Sequence, residues 1–551
     1  MRINNILGAA AIVCTAFAPV AIAQPEAPDR ALVGSLPASC DLVIATGDLA
    51  PLRQSPAWRC AEQFLGEMAT WQRSLEAWSQ VASSLGMTPR EAADEVLGSR
   101  LIFTISGLSD PSPDRRPQHA LITEISPDIE RRLRERLKPA PREVEGGLPI
   151  LALENGAFDL ATSLRESEPK ARVLISPRGS SALFDSLLPV IRAQVRGETL
   201  EESTAWTQAA DLPTGRAFVL YRDLHPDARA ATERFIAATV TPRADVLTAD
   251  ILASRELVLR THTPAPGDPL PTASPAAWPA GGVEWLARDA ALLIAGSPRE
   301  QPLDLDLDVP SGHVRGTLLH SLLDMLRLPD GLQRRIDGVA VIAVHEPRTG
   351  DGAPEPGAIS ITAAIPVDDV STFAPDADAW TVTLSGDPEM KAPRATLDSI
   401  RLLSLTPKGP GVLAGFVKPG GSLAWGYVRH PGADSGWWVL NIRTGVEQDE
   451  MAVSTVNELS VRLSRPLDAD DSTLFQLSLD PARLAALKRA AAGDRVPADT
   501  LIDAPPDPLD AFRWIQRVET RLQRAPAGLA RGTVKITFNT SLLDPPRPAG
   551  R

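Results

Sequence analysis

Two blocks of this chain, about 240 positions apart, read in the same order, and that repetition constrains the fold more than any other feature. The first block runs Gly98 to Ile105, a polar Pro-rich loop, Ala120 to Ile125, then Pro127-Asp128. The second runs Gly338 to Val344, a loop ending in GAPEPG, Ala358 to Ile365, then Pro366-Val367-Asp368. Each block reads as two apolar strands joined by a loop and followed by a helix start. A repeat this long implies a duplicated unit rather than a solenoid of short modules. A smaller motif recurs inside it: an apolar strand, an Asp and a nearby Pro, at Leu36 to Arg53 (Asp48), from Leu212 (Asp223) and from Asp471 (Asp480). Asp suits the amide-rich helix start and Pro the first turn, so the junction reads as strand to helix.

The expected fold class is therefore α+β, in two related halves, each a mostly antiparallel sheet backed by helices. Short connections between successive strands favour antiparallel over doubly wound parallel sheets. One long amphipathic helix is expected near residues 56–85, because Phe64, Met68, Trp71, Leu75, Trp78 and Ala82 repeat in steps of three and four. Core packing explains that stripe better than a ligand cradle. Further strands are expected at Glu256 to Thr261, Trp380 to Ser385, Ile400 to Leu405, Val412 to Val417, Leu423 to Val428, Trp437 to Ile442 and Gly532 to Thr540, with a helix over Asp507 to Arg524.

The organisation read from the text is a signal peptide at 1–23, an N-terminal linker at 24–32, a first half at 33–262, a Pro-rich linker at 263–280, a second half at 281–542 and a disordered tail at 543–551. The start combines Arg2, an apolar run from Ile6 to about Val20 and Ala21-Ile22-Ala23, the pattern of a secretory signal cut after Ala23. Val13 before Cys14 does not suit lipid attachment. The expected location is periplasmic or extracellular, with no transmembrane anchor after cleavage. With 551 residues and 43% hydrophobic content, the chain can bury more than one core. Its formal charge of -13 becomes one unit more negative when Arg2 is removed, and its Arg residues are interspersed with acids, as in DIERRLRERL from Asp128 to Leu137. No nucleic-acid partner is expected of such a surface.

Four groups of residues invite a chemical reading. Cys40 and Cys60, left after cleavage in an oxidising compartment, form the candidate disulfide, with two buried thiols as the alternative. Ala433-Asp434-Ser435-Gly436, with His345 upstream, resembles the nucleophile segment of trypsin-like serine proteases. Ala433 and Trp437 stand where that family has Gly, so a hairpin turn is the better reading. Asp304, Asp306 and Asp308 alternate with Leu, which suits a strand with one wet face better than a calcium loop lacking its Gly and Glu. His313, His320 and Asp324 would share a face if His313 is helical, but a seven-residue step separates the two His by ~10 Å, too far for one metal ion. No catalytic, cofactor or metal residue is assigned, and the motifs for phosphate, dinucleotide or zinc-protease chemistry are missing from the text.

Taken together, LPASCDLVIATGDL, LIFTIS with ALITEISPDI, VLISPRGSSALFDSLL, AFVLYRDL and TLFQLSLDPARL resemble a family of exported bacterial proteins defined only as a domain of unknown function. The resemblance implies an envelope location and a repeated α+β build, and it brings no active site. The expectation is a non-enzymatic binding or structural component of the cell envelope, partnered by a ligand or an envelope protein. A hydrolase using carboxylates or a bound metal is the alternative.

Overall fold

The structure is a computed structural model. It describes residues between 28 and 543, leaving outside the description 49–53, 68–78, 109–116, 140–149, 222–245, 265–285, 297–306, 315–328, 347–357, 385–393, 406–420, 465–472, 488–512 and some shorter stretches. The chain divides into two compact units. The first combines the N-terminal part of the chain with Pro526–Arg551, and the second is built mainly from Gly267–Ala525.

In the first unit the strands are β1 (Leu42–Thr46), β2 (Leu101–Ser106), β3 (Gln118–Ile125), β4 (Lys138–Pro139), β5 (Ile150–Leu153), β6 (Phe158–Ser163), β7 (Ala171–Pro177), β8 (Ala217–Tyr221), β9 (Val246–Ala253) and β10 (Glu256–Pro264). The second series opens with β11 (Ala290–Gly296) and a separate small hairpin, β12 (Leu307–Val309) with β13 (Gly312–Val314). It continues through β14 (Ala340–His345), β15 (Ser360–Val367), β16 (Arg394–Ala395), β17 (Arg401–Leu405), β18 (Gly421–Arg429), β19 (Gly436–Thr444), β20 (Thr473–Leu479), β21 (Ile515–Ala525) and β22 (Leu529–Phe538).

Every pairing in the two large sheets is antiparallel. The first sheet is ordered β4-β5-β6-β7-β3-β2-β1-β8-β9-β10-β22. The second is ordered β16-β17-β18-β19-β15-β14-β11-β20-β21. Strand for strand, from β16 to β21, this is the order from β4 to β9 again, so the duplication seen in the text is a duplication of topology. β22, which follows β21 as β10 follows β9, belongs to the first unit and pairs there with β10.

Helices cover both faces of each sheet because successive strand residues point to opposite sides and both sides are apolar. In the first unit α1 (Arg30–Gly34) and α4 (Ser181–Ile191) lie over Val43, Ala45, Ile102, Ile122 and Leu174, with Phe184 and Leu187 wholly buried. On the other face α3 (Pro127–Arg136) packs Ile129 and Leu133 onto Leu160 and Val173. Its Ser126 hydroxyl accepts from the Ile129 amide, and Pro127 occupies the first turn. In the second unit α7 (Asp449–Leu463) covers Leu293, Val341, Ala364 and Val439. There α5 (Asp330–Gln333) and α6 (Val370–Leu384) cover Ile365, Leu423, Trp425 and Trp438. The helix that follows β1 is α2 (Pro56–Glu67). It is the start of the helix expected over 56–85, whose next stretch lies outside the described residues.

Several local readings are corrected. Trp380 to Leu384 is the end of α6, not a strand: Asp369 accepts from the Ser371 amide and both nearby hydroxyls, and Val370, Phe373, Ala377 and Thr381 bury one helical stripe. Those hydroxyls hold the Asp369 carboxyl down at about 2. The β-branched Thr and Val of TVTL lose to that cap and that burial. The expected helix over Asp507 to Arg524 is strand β21 from Ile515 onward, where pairing with β20 overrides a helix-like spacing of Ile515, Val518 and Leu522. His313 is in β13, opposite Asp308, so it shares no helix face with His320. Of the three Asp-initiated junctions, Asp480 accepts from the Arg483 amide as expected. At α2 the cap is Ser55, whose hydroxyl accepts from the Trp58 amide. Asp223 lies outside the described residues, as does the strand expected at Val412 to Val417.

Candidate functional site

A row of charged side chains crosses the first sheet near one end. Glu124 of β3 stands opposite Arg172 of β7, and Arg172 opposite Ser163 of β6. Because Leu101 pairs with Thr123, Arg100 comes next in the ladder beside Glu124. Strand alternation puts Glu124 on the face of Ile122, under α1 and α4. Asp29 caps α1 by accepting from the Leu32 amide at 3.0 Å, and its second oxygen lies 3.8 Å from Arg172 Nη2. The Arg172 side chain is 12% exposed and that of Asp29 22%.

Burial pushes the Glu124 carboxyl above its ordinary range, against the pull of Arg100, Lys170 and Arg172, with Asp29 adding to the rise. A carboxyl shifted upward among three cations is a group held where its charge is poorly solvated. That is unusual enough to mark a place of interest.

The second unit supplies an internal control. In its sheet the same row reads Pro366, Trp437 and Val428, all apolar, with Trp437 opposite both neighbours. Trp437 is buried in one cluster with Leu459 and Leu463 from the last turns of α7. With 15 residues to the 11 of α4, α7 is longer by about one turn. The fold thus accepts an apolar row at this position, in keeping with the general finding that buried ion pairs are replaceable by well-packed apolar groups. The charges of the first unit are not dictated by the topology.

The residues singled out in the text are placed as follows. Ser435 lies in the turn between β18 and β19, where its carbonyl accepts from the His430 amide and Gly432 takes a φ of +78°. The Asp434 carbonyl accepts from the amide of Val370. His345 pairs with Ser360, whereas Gly436, next to Ser435, pairs with Val367, seven residues along β15 or ~23 Å at ~3.3 Å per residue. The protease-like segment is a hairpin turn. Asp304, Asp306, His320 and Asp324 lie outside the described residues. Cys40 and Cys60 are buried and not joined by a disulfide, Cys40 under α4 and Cys60 on α2 facing the Asn539 carbonyl at 3.9 Å. Burial pushes the Cys60 thiol up to about 11.

A second polar group in the interior belongs to the scaffold. Asp378 of α6 accepts from Trp425 Nε1 and from the Tyr427 hydroxyl, each at 2.8 Å, and its other oxygen meets Arg401 Nε at 2.8 Å. Burial, then the Asp378 charge, drives the Tyr427 hydroxyl far above its usual range. This carboxylate, with its partners in place, pins α6 to β17 and β18. Among the described residues no group of three or more His, Cys, Asp or Glu is arranged to hold a metal ion, and no helix is long and apolar enough to cross a membrane.

No family model matches the chain, and no curated protein matches it. Among solved structures, the di-domain ARO/CYC BexL from the BE-7585A biosynthetic pathway aligns over 77% of this chain and 98% of its own, at 8% identity and a TM-score of 0.10. A likeness so slight carries no argument about fold or function.

Sequence reading passed over Arg100, Glu124, Arg172 and Asp29. A signal was there: at the 240-position offset of the two blocks, Glu124 of ALITEI falls where the second copy has Ala364.

Proposed function

We propose that the chain is an exported protein of the cell envelope, periplasmic or extracellular, that acts by binding or as a structural component and has the repeated α+β build of the exported family it resembles. The observation that carries the binding part is the charged row of the first unit, set against the apolar row at the same place in the second. A duplicated scaffold that keeps charge in one copy alone has a use for it beyond folding. A hydrolase working through paired carboxylates draws on one observation, Glu124 acted on by the charge of Asp29. Arg172, opposite the first and close to the second, supplies both with a counter-charge and favours binding instead.

Two measurements test this reading. Expressed in a bacterium with a C-terminal tag, the protein should leave the cytoplasm and its N-terminal sequence should begin at Gln24. A full-length chain retained in the cytoplasm would contradict export. Converting the row to the apolar character of its counterpart, with Arg100→Val, Glu124→Leu and Arg172→Leu together, should leave unfolding free energy within about 1 kcal/mol of wild type. Arg172→Leu alone should cost about 1–3 kcal/mol, the partly exposed remnant of a broken charge cluster. A triple variant less stable than the single one would make the row structural and remove the support for binding.

A further inference from the structure

We propose that the second unit binds an ordered water molecule beneath α7, between Asn441 and Ser422, as a built part of its interior. The proposal goes beyond the binding reading above and does not depend on it.

Asn441 of β19 is wholly buried, and strand alternation places it with Val439 on the face that α7 covers. Its Nδ2 donates to the hydroxyls of Ser360 at 2.9 Å and Thr362 at 2.8 Å and approaches the Ile361 carbonyl at 3.4 Å, all on β15. Its Oδ1 is also buried and meets no partner among the described residues. Reversing the amide does not help. Oδ1 would then accept from the two hydroxyls, and the amide NH2 would be the group left over. In either orientation half of a buried amide requires a guest that can donate or accept, and water is the smallest that does both. A dry amide oxygen is costlier here than a water held still.

The surroundings supply room and a second partner. With Nδ2 turned to β15, Oδ1 faces away from that strand. On the other side of β19, the residue opposite Asn441 is Ala424, which carries a single methyl group. Ala424 and Ala452, from the first turn of α7, lie in the same buried cluster as Val439. Two residues before Ala424, and so on the same face, Ser422 is 4% exposed. Its hydroxyl donates to Asp449, the first residue of α7, and keeps its lone pairs for an incoming donor. A water in this place donates to Asn441 Oδ1 and to Ser422 Oγ, two of the polar partners that an internal water requires. Through Ser422 it links the middle of β19 to the start of α7.

The test is a crystal structure of the full chain at a resolution that shows ordered water. A single-oxygen peak should stand about 2.7–3.2 Å from the Asn441 amide and from Ser422 Oγ. In solution, magnetic relaxation dispersion of the water signal reports long-lived internal waters. The triple variant Asn441→Leu, Ser360→Ala and Thr362→Val removes the amide and both hydroxyls that hold it, and should lose about one such water relative to wild type. Should that variant fail to fold, the crystal structure decides. Density that joins the Asn441 amide to a protein group with no peak beside it would overturn the proposal. So would a peak too large for one oxygen atom, or an unchanged dispersion amplitude in a folded triple variant.

Discussion

Trp438→Ala should lower the stability of the second unit by about 3–5 kcal/mol, the usual loss when a large buried aromatic is truncated. Trp438 is 1% exposed, in the cluster between α6 and its sheet. Its ring meets Phe373 at 5.6 Å and Trp380 edge-on at 5.9 Å, so alanine removes two aromatic contacts together with the buried area. A typical domain has only about 5–15 kcal/mol in hand. For a unit of this size the loss corresponds to roughly 10 °C in Tm. Calorimetry should show the second unit's transition moving down and the first unit's staying in place. An unchanged thermogram would show that the packing around Trp438 carries little of that unit's stability. Val173, the counterpart of Trp438 in the first sheet, fills the same position with a far smaller side chain, so the second core depends on this ring more than the topology alone requires.

Removing Pro526–Arg551 should loosen the first unit, although nearly all of that unit lies more than 260 residues earlier. The ladder between β10 and β22 runs from Glu256 opposite Thr537 to Pro264 opposite Leu529. Lys535 adds an ion pair to Glu256 at 2.9 Å, and α2 lies against the same segment through Cys60 and Asn539. At about 0.5–1.5 kcal/mol per hydrogen bond, the ladder contributes on the order of 5 kcal/mol before any side-chain packing. Amide exchange in β9 and β10 should quicken in the truncated chain. The Cys60 thiol, pushed up to about 11 by burial, should become open to alkylation at pH 8. Unchanged protection of β10 together with an unreactive Cys60 would count against this role for β22.

How far the text could be read depended on where each decision is made. The duplication was legible because strands β2, β3, β14 and β15 are mostly apolar and recur in the same order, and burial on both faces leaves such runs little alternative. α6 was misread at TVTL because its helix is decided at its start, by Asp369, and by burial of Phe373 and Ala377 against strands remote in sequence. β21 was misread for the converse reason: pairing in the sheet, with β20 on one side, makes Ile515–Ala525 extended. α7 was overlooked although Ala452, Val453, Val456, Leu459 and Leu463 make a buried stripe, since the polar residues between them dilute the pattern. The charged row lay beyond reach in isolation because Arg100, Glu124 and Arg172 are far apart in the chain and become neighbours through pairing. Only placing one copy against the other exposes it.

The β10–β22 ladder also sets a clock. Chains are made from the N-terminus at roughly 5–20 residues per second, and about 270 residues separate the end of β10 from the end of β22. For something like 15–50 s after β10 is synthesised, the first unit lacks its last strand, with a row of backbone donors and acceptors still open. A chain that stops short never closes that row. The first unit therefore reports on whether synthesis has passed β22, and a protease or chaperone that recognises an open strand would sort chains that stop before it from chains that reach it.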